Sequence, residues 1–161
     1  MKRLLLIIFL LSTFVYAKST IEIDGTSTLH DWKMVSDKID SIFENDGSKI
    51  TKLDVSVKIE TLKSGDEGLD EKAYETLEID RKNFIRFELL DANLETGLIK
   101  GVFKVLDKEQ VTELKPEILS LTQIKGSFKV KMTDFGLEVP SVMFGAIKSG
   151  DEITIKYNII K

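Results

Sequence analysis

Alternation of apolar and polar residues is the feature that most constrains the fold of this chain. Beyond Lys18, apolar side chains recur mostly at every second position, with polar or charged residues between them. The pattern is clearest in Val55 to Ile59, Ile85 to Leu89, Phe128 to Met132 and Ile153 to Ile159. Because successive side chains of a strand point to opposite faces, each stretch predicts a strand with one buried face.

One segment, Leu69 to Ile79, breaks this alternation. Its apolar residues fall at helical spacing: Leu69, Ala73, Tyr74 and Leu77. Two acidic residues, Asp70 and Glu71, lie near its start, where the helix dipole favours negative charge. The segment therefore predicts one short helix in an otherwise antiparallel β domain.

Turn-forming residues separate the predicted strands, and no Pro/Gly/Ser-rich linker divides the chain. The turn signals are Asn45-Asp46-Gly47-Ser48, Ser64-Gly65-Asp66-Glu67-Gly68, Asp107-Lys108-Glu109-Gln110 and Ser149-Gly150-Asp151. Residues 18–161 are thus predicted to form a single mainly β domain. Many short strands are typical of a sandwich or of a closed barrel, and periodicity alone does not choose between them.

The amino terminus has the features of an export signal. Met1-Lys2-Arg3 precedes an apolar run from Leu4 to Leu11, and Val15-Tyr16-Ala17 ends in a small residue. The run is shorter than the roughly 20 residues that span a bilayer as a helix. We therefore predict a signal peptide, residues 1–17, cleaved after Ala17 to release an exported, periplasmic protein. An uncleaved amino-terminal anchor is the alternative.

Composition excludes several kinds of function. The chain has one His and no Cys, so it offers neither a histidine-cluster or thiolate metal site nor a cysteine nucleophile. Without Lys2 and Arg3, 21 basic residues face 27 acidic ones, and such a surface repels nucleic acid. We expect no cofactor, no metal and no nucleic-acid partner.

The rarest side chains occur together. The only His and the only Trp belong to His30-Asp31-Trp32, within the segment Gly25 to Trp32. The imidazole, carboxylate and indole groups can hold a ligand headgroup. Alternatively, the segment simply begins a strand, with the polar atoms of His and Trp hydrogen-bonded to the backbone and their rings packed in the core. A hydrolase that used Ser27 with His30 is a further alternative, but residues three apart lie on opposite sides of a strand.

Aromatic and methionine side chains are the candidates for the interior. Alternation predicts inward positions for Phe87, Phe103, Phe128, Met132, Phe135, Met143 and Phe144. A barrel of about eight strands has room for these side chains alone or for one elongated ligand. They can therefore line a pocket or pack a solid core.

Several segments, in order, resemble the YceI-like family of exported proteins. They are Gly25-Thr26-Ser27-Thr28-Leu29-His30-Asp31-Trp32, Val55-Ser56-Val57, Leu62-Lys63-Ser64-Gly65, Phe84-Ile85-Arg86-Phe87, Ile99-Lys100-Gly101-Val102, Ile124-Lys125-Gly126-Ser127-Phe128, Thr133-Asp134-Phe135-Gly136-Leu137 and Gly150-Asp151-Glu152-Ile153-Thr154-Ile155. No segment is a catalytic signature. Their order and spacing, which span nearly all of residues 18–161, make the resemblance specific.

The resemblance implies both a fold and a function. The family fold is an extended antiparallel lipocalin-like β-barrel, here of about eight strands with one short helix. Characterised members hold a long apolar chain inside the barrel, which implies a non-enzymatic binder or carrier of an isoprenoid, a quinone-like molecule or a fatty amide. Dimers occur in the family, so a homodimer is also expected. The alternative is an envelope interaction module with a filled core.

The candidate ligand-binding residues come from the polar segment and from the interior set. They are His30, Asp31, Trp32, Phe87, Phe103, Phe128, Met132, Phe135, Met143 and Phe144. No catalytic residue and no metal ligand is predicted.

Overall fold

The computed structural model describes residues 17–161, which contain twelve strands and one α-helix. Apart from Ala17, the predicted signal peptide lies outside the described residues. The strands are β1 (Thr20–Gly25), β2 (Trp32–Ser36), β3 (Ile39–Asn45), β4 (Ile50–Lys58), β5 (Phe84–Asn93), β6 (Leu98–Val105), β7 (Lys108–Leu114), β8 (Ile118–Leu119), β9 (Gln123–Lys131), β10 (Ser141–Val142), β11 (Ile147–Lys148) and β12 (Glu152–Ile160). The helix α1 spans Glu67–Thr76.

The strands form two antiparallel five-stranded sheets and one small hairpin. The first sheet has the order β2-β1-β12-β9-β8 and the second the order β3-β4-β5-β6-β7. The hairpin pairs β10 with β11. In the second sheet, neighbours in sequence are neighbours in space. The first sheet joins the two ends of the domain, since the carboxy-terminal β12 lies between β1 and β9.

The alternating stretches form strands, as the sequence predicted. They lie in β4, β5, β9 and β12 or run one residue beyond the strand, and most of their apolar residues line the space between the sheets. In the first sheet, Ile155 lies opposite Phe128 and Ile153 opposite Val130. This register places apolar side chains of neighbouring strands on the same inner face, so a one-residue shift would expose them all.

The predicted helix is present, with slightly different bounds. Asp66 is its N-cap, and the Asp66 side chain accepts a hydrogen bond from Leu69 N at 3.0 Å. That bond satisfies one of the free amide groups of the first turn, which explains why the helix begins before Leu69. The Tyr74 hydroxyl donates to the carbonyl oxygen of Leu62 at 2.8 Å and lies 3.1 Å from that of Glu60. These contacts fix the helix against the segment that follows β4.

The mainly β fold with one helix is confirmed, while the hydrogen bonding differs in detail from a closed ring of eight strands. Among residues 17–161, strand pairing gives two separate sheets. The edge strand β2 bonds to the segment after β4, through Val35 N to Lys63 O at 2.8 Å and Lys63 N to Val35 O at 2.9 Å. This segment leads directly into α1, so the helix flanks the two sheets at this edge.

Candidate ligand-binding cavity

A cavity of about 520 Å³ lies between the two sheets. Ligand-binding cavities in proteins measure about 300–1,000 Å³, so this volume is in the ordinary range for a bound small molecule. Its apolar lining from the first sheet includes Ile21, Ile23, Met34, Ile124, Phe128, Val130, Ile153 and Ile155. The second sheet adds Leu53, Val55, Val57, Ile85, Phe87, Ile99, Phe103 and Val105. The walls are therefore almost wholly hydrocarbon.

Five residues of the predicted interior set line this cavity. They are Phe87, Phe103, Phe128, Met132 and Phe135. The Phe103 ring packs edge-on against Phe128, with centroids 5.5 Å apart, and against Phe135, with centroids 5.3 Å apart. Edge-to-face packing is a favoured aromatic geometry, and it holds the three rings in defined positions along the wall.

Met143 and Phe144 lie outside the cavity, so the expectation that they face inward was wrong. They belong to the turn Met143–Gly145 between β10 and β11, and both side chains are exposed. Alternation holds only where the backbone is extended, whereas here φ is +53° at Met143 and +56° at Phe144. The left-handed backbone turns both side chains towards solvent.

Trp32 lines the cavity near one end, at the start of β2. Its indole Nε1 donates to the carbonyl oxygen of Thr26 at 3.1 Å and lies 3.2 Å from Ser149 Oγ. The ring lies against Gly25, its partner across β1 and β2, where a Cβ atom would collide with it. Both ends of the indole are thus fixed, and its apolar face is available to the cavity.

His30 reaches the cavity lining from an exposed loop, whereas Asp31 does not. His30 Nδ1 lies 2.8 Å from the carbonyl oxygen of Asp31. The Ser27 hydroxyl donates to His30 O at 2.7 Å and accepts from the amides of Leu29 and His30. The Ser27 hydroxyl therefore holds the turn together through the backbone, and it makes no hydrogen bond to the imidazole.

The exposed and polar lining residues cluster at one end, which we call the cavity mouth. Three segments frame it: the loop 26–31, the helix α1 and the β10–β11 hairpin. The polar or exposed lining residues in and beside these segments are Ser27, Leu29, His30, Asp66, Gly68, Lys72, Thr76, Ser141, Val142 and Ser149, and the exposed Arg86 on β5 also contributes to the lining. Three of the lining residues away from the mouth, Leu53, Ile99 and Ile124, are at most 2% exposed. The cavity is thus polar at its mouth and apolar in its interior.

Sequence reasoning did not identify the cavity-facing side of α1. Leu69, Ala73 and Leu77, spaced four residues apart, all line the cavity. Their helical spacing was visible in the sequence and indicated one apolar face. The surface that this face covers depends on how the helix docks against the sheets, which local spacing does not reveal.

Tyr157 contributes a polar atom to the interior of the first sheet. Its side chain lines the cavity, and its hydroxyl is buried with no hydrogen-bond partner among residues 17–161. Burial raises the pKa of Tyr157 to about 12, with a smaller contribution from the charge of Glu117. The phenol therefore stays neutral at physiological pH.

Potential metal ligands do not converge in the part of the chain that the structure describes. No group of three or more His, Cys, Asp or Glu residues there is placed to hold a metal ion. Within the same residues, no helix has the length and hydropathy that a membrane span requires.

The fold is similar to that of several solved structures. Burkholderia cenocepacia BcnA gives a TM-score of 0.71 at 12% identity, over 89% of this chain and 96% of that chain. A polyisoprenoid binding domain from Saccharophagus degradans, implicated in plant cell wall breakdown, gives 0.63 at 12% identity, over 87% and 91%. The Campylobacter jejuni YCEI protein gives 0.59 at 13% identity, over 77% and 81%.

Sequence comparison identifies the family directly. No curated protein matches the sequence significantly. The family described as the YceI-like domain, however, matches residues 13–160, which is nearly the whole chain. Together with the shared fold, this match shows that the chain belongs to the YceI-like family.

Proposed function

We propose that this protein binds a long-chain apolar amphiphile in the cavity between its two sheets, as a carrier. The observation that carries the proposal is the cavity itself: about 520 Å³, walled by hydrocarbon side chains and open at a polar mouth. A hydrocarbon tail fits the apolar interior, since burial removes its surface from water. The Saccharophagus degradans neighbour, a polyisoprenoid binding domain, supports a ligand of this class.

The energetics favour a long tail over a short one. Each CH₂ group moved out of water contributes about 0.8 kcal/mol, so a dozen carbons contribute about 10 kcal/mol. Association itself costs an estimated 4–15 kcal/mol. A dozen carbons therefore bring binding near balance, and tight binding requires a longer chain, polar contacts or a further apolar group, such as the ring system of a dansyl label. An isoprenoid, a quinone-like molecule or a fatty amide meets this requirement.

The mouth supplies the polar contacts. His30, Asp66 and Lys72 line it, and the Lys72 ammonium lies 2.7 Å from the Glu75 carboxylate. A ligand headgroup placed here keeps access to water while its tail occupies the interior. Within the predicted set, His30 and Trp32 are then the residues nearest the headgroup, and the five interior residues contact the tail.

We further propose that the carrier is exported to the periplasm and is not an enzyme. The amino-terminal sequence supports export, through its basic start, apolar run and small residue at position 17. The hydrogen bonds of Ser27 to the backbone of its own turn count against a nucleophilic role for that hydroxyl. The cavity argues against the alternative of an interaction module with a filled core. The homodimer stays a prediction, which sedimentation equilibrium tests.

Extraction of the purified protein tests the proposal. Protein isolated from its native compartment is treated with organic solvent, and the extract is analysed by mass spectrometry. We expect a long-chain molecule at near one equivalent per chain. An extract without such a molecule, together with failure of the delipidated protein to bind dansylated undecanoic acid, would overturn the proposal.

A substitution that fills the cavity tests whether the ligand binds there, and the same substitution on the exposed side of α1 is its control. Ala73 faces the cavity from α1, so Ala73→Phe places a ring in the space that the tail would occupy. We expect its affinity for dansylated undecanoic acid to fall at least about tenfold, because some 1.5–3 kcal/mol of apolar burial is lost. Glu71→Phe adds the same ring on the exposed side of the helix and is the control. Equal affinities for the two variants would contradict binding in this cavity.

A further inference from the structure

The strand β10, the turn that follows it and Ile147 of β11 carry an uncharged surface. Residues 139–147, Val-Pro-Ser-Val-Met-Phe-Gly-Ala-Ile, contain no charged side chain, although 31% of the whole chain is charged. Glu138 and Lys148 flank the segment on either side. We call the exposed residues Val142, Met143 and Phe144, together with the neighbouring Leu29, the apolar tip.

The side chains of the apolar tip project into solvent. Phe144 is fully exposed, and Met143 and Leu29 are 69% and 65% exposed. In a monomer in water, a large apolar side chain at such an exposed position gains no free energy from burial. Two consecutive non-glycine residues, Met143 and Phe144, also adopt positive φ there. Backbone of this kind costs free energy and is found where the surrounding structure enforces it, frequently at functional sites.

Hydrogen bonds hold the tip in place against the loop 26–31. Thr28 N donates to Lys148 O at 3.0 Å, and Lys148 N donates to Thr28 Oγ1 at 3.1 Å. Gly150 N donates to Thr26 O at 2.8 Å. These bonds join the loop to the hairpin, and they place Leu29, which follows Thr28 in the chain, close to the hairpin.

The apolar tip is continuous with the cavity. Val142 and Leu29 both line the cavity mouth and are exposed to solvent. Met143 and Phe144 follow Val142 directly in the chain, so exposed apolar side chains continue from the cavity mouth into the turn of the hairpin. A ligand that leaves the cavity past these residues would meet hydrocarbon along the way.

We propose that the apolar tip docks on the surface of a lipid bilayer and directs the cavity mouth towards it. The proposal rests on the proposed function, since a long-chain amphiphile resides in membranes and not free in water. The absence of charge over residues 139–147 fits insertion into the interfacial region of neutral lipid, where Phe and Met side chains are buried. With 27 acidic residues against 23 basic ones in the whole chain, the protein has no general attraction for anionic lipid.

Sedimentation with phosphatidylcholine vesicles tests the docking surface. Delipidated full protein is mixed with sucrose-loaded vesicles, and the bound fraction is measured against lipid concentration. We expect Phe144→Ser to lower the partition coefficient at least about tenfold, since one large apolar side chain is lost from the interface. Leu90→Ser is the matched control, because Leu90 is 58% exposed on β5, away from the mouth. Phe144→Trp is expected to retain binding, since Trp is favoured at the membrane interface.

Several results of these experiments would contradict membrane docking by the apolar tip. No cosedimentation of the wild type, an equal loss in Leu90→Ser, or binding that needs anionic lipid and disappears in salt would overturn it. Self-association that Phe144→Ser abolishes, seen by sedimentation velocity without lipid, would assign the tip to a second copy of the chain. The thermal midpoint of each variant establishes that it is folded.

Failure of this inference is distinguishable from failure of the proposed function. Binding of dansylated undecanoic acid by the wild type in solution, without vesicles, measures the cavity alone. Binding of the probe without vesicle partitioning would refute membrane docking by the apolar tip and leave ligand binding in the cavity unaffected. Vesicle partitioning without probe binding, together with a solvent extract that holds no long-chain molecule, would refute the proposed ligand class and leave the docking surface.

Discussion

Two glycines on the inner faces of the sheets make room for aromatic rings at the cavity wall. Gly25 lies beneath the Trp32 indole, and Gly101 lies beneath the Phe87 ring. At both positions a Cβ atom would collide with the ring, so the requirement for glycine comes from close approach and not from an unusual backbone angle. Each glycine thus determines where one cavity-lining aromatic side chain lies.

Gly25→Ala is expected to displace the Trp32 indole. The added methyl group forces the ring away from β1, and overpacking of this kind typically costs about 1–3 kcal/mol of unfolding free energy. Trp32 is the only tryptophan, so its fluorescence reports on this site alone. We expect a red-shifted emission together with a lower midpoint of chemical denaturation.

Gly68→Ala is the control for the added methyl group. Gly68 lies in the first turn of α1, where the nearest atom to a Cβ would be Asp66 Oδ1 at 3.4 Å. Alanine favours a helix over glycine by up to about 1 kcal/mol, so this variant should be as stable as the wild type or more stable. An unchanged spectrum and stability in Gly25→Ala would show that the indole does not depend on Gly25.

At the scale of elements, α1 is attached to the sheets through its polar residues as well as its apolar face. Asp70 is buried, and its Oδ1 accepts hydrogen bonds from Ser64 N at 2.8 Å and from Ser64 Oγ at 2.7 Å. Its Oδ2 lies 3.4 Å from Lys63 Nζ. These contacts join the helix to the segment that pairs with β2, and they position Leu69 and Ala73 at the cavity.

Burial and hydrogen bonding act in opposite directions on Asp70. Burial alone would raise the pKa of this carboxyl group, but the hydrogen bonds from Ser64 and the charge of Lys63 outweigh it and hold the pKa below its ordinary value of 3.8. Because the folded-state pKa is lowered, the unfolded chain takes up the proton first as pH falls. The stabilisation is therefore complete above about pH 4 and is lost below it.

Asp70→Asn is expected to lower the unfolding free energy by about 1–3 kcal/mol at neutral pH, because hydrogen bonds to a charged acceptor are replaced by weaker ones. Urea denaturation over a range of pH measures the difference from the wild type, which should shrink as pH falls through 3.8 and below. Asp80→Asn, an exposed position after the helix, should change the stability by no more than about 0.5 kcal/mol. A difference that persists unchanged at pH 2 would contradict the role of the Asp70 charge.

At the scale of the whole molecule, three apolar clusters surround the cavity and contribute to its lining. One cluster contains Ile124 and Ile159, a second contains Phe103 and Phe135, and a third lies around Met34 beneath α1. Protein interiors are normally packed as densely as organic crystals, so open space between clusters forfeits packing contacts. A ligand that fills this space should restore them.

Ligand binding is accordingly expected to raise the thermal midpoint of the delipidated protein. A ligand at about 100 times its Kd stabilises the folded state by about 2.7 kcal/mol, which corresponds to a rise of roughly 8 °C in a domain of this size. Differential scanning calorimetry with dansylated undecanoic acid measures the shift. At the same ligand concentration, a roughly tenfold loss of affinity in Ala73→Phe should reduce this shift to about half or less. An equal shift in that variant would place the ligand elsewhere.

Much of the fold was predictable from the sequence, because it depends on local periodicity. The alternation in β9 and β12 determined which side chains face inward, and five of the seven predicted interior residues line the cavity. Met143 and Phe144 were misplaced because the prediction assumed an extended backbone where the chain makes a left-handed turn. The helix was predicted from its spacing, and its first residues were missed because the Asp66 cap lies before the apolar positions.

The sequence by itself determined the strand faces, the one helix and the membership in the YceI-like family, since these follow from residue patterns within short segments. Only the tertiary structure decided that the inner faces leave a cavity between them, that Leu69, Ala73 and Leu77 wall it, and that the β10–β11 hairpin stands at its mouth. The reason is physical: whether apolar faces meet closely or stay apart depends on the distance between sheets. That distance is set by contacts between residues far apart in the chain.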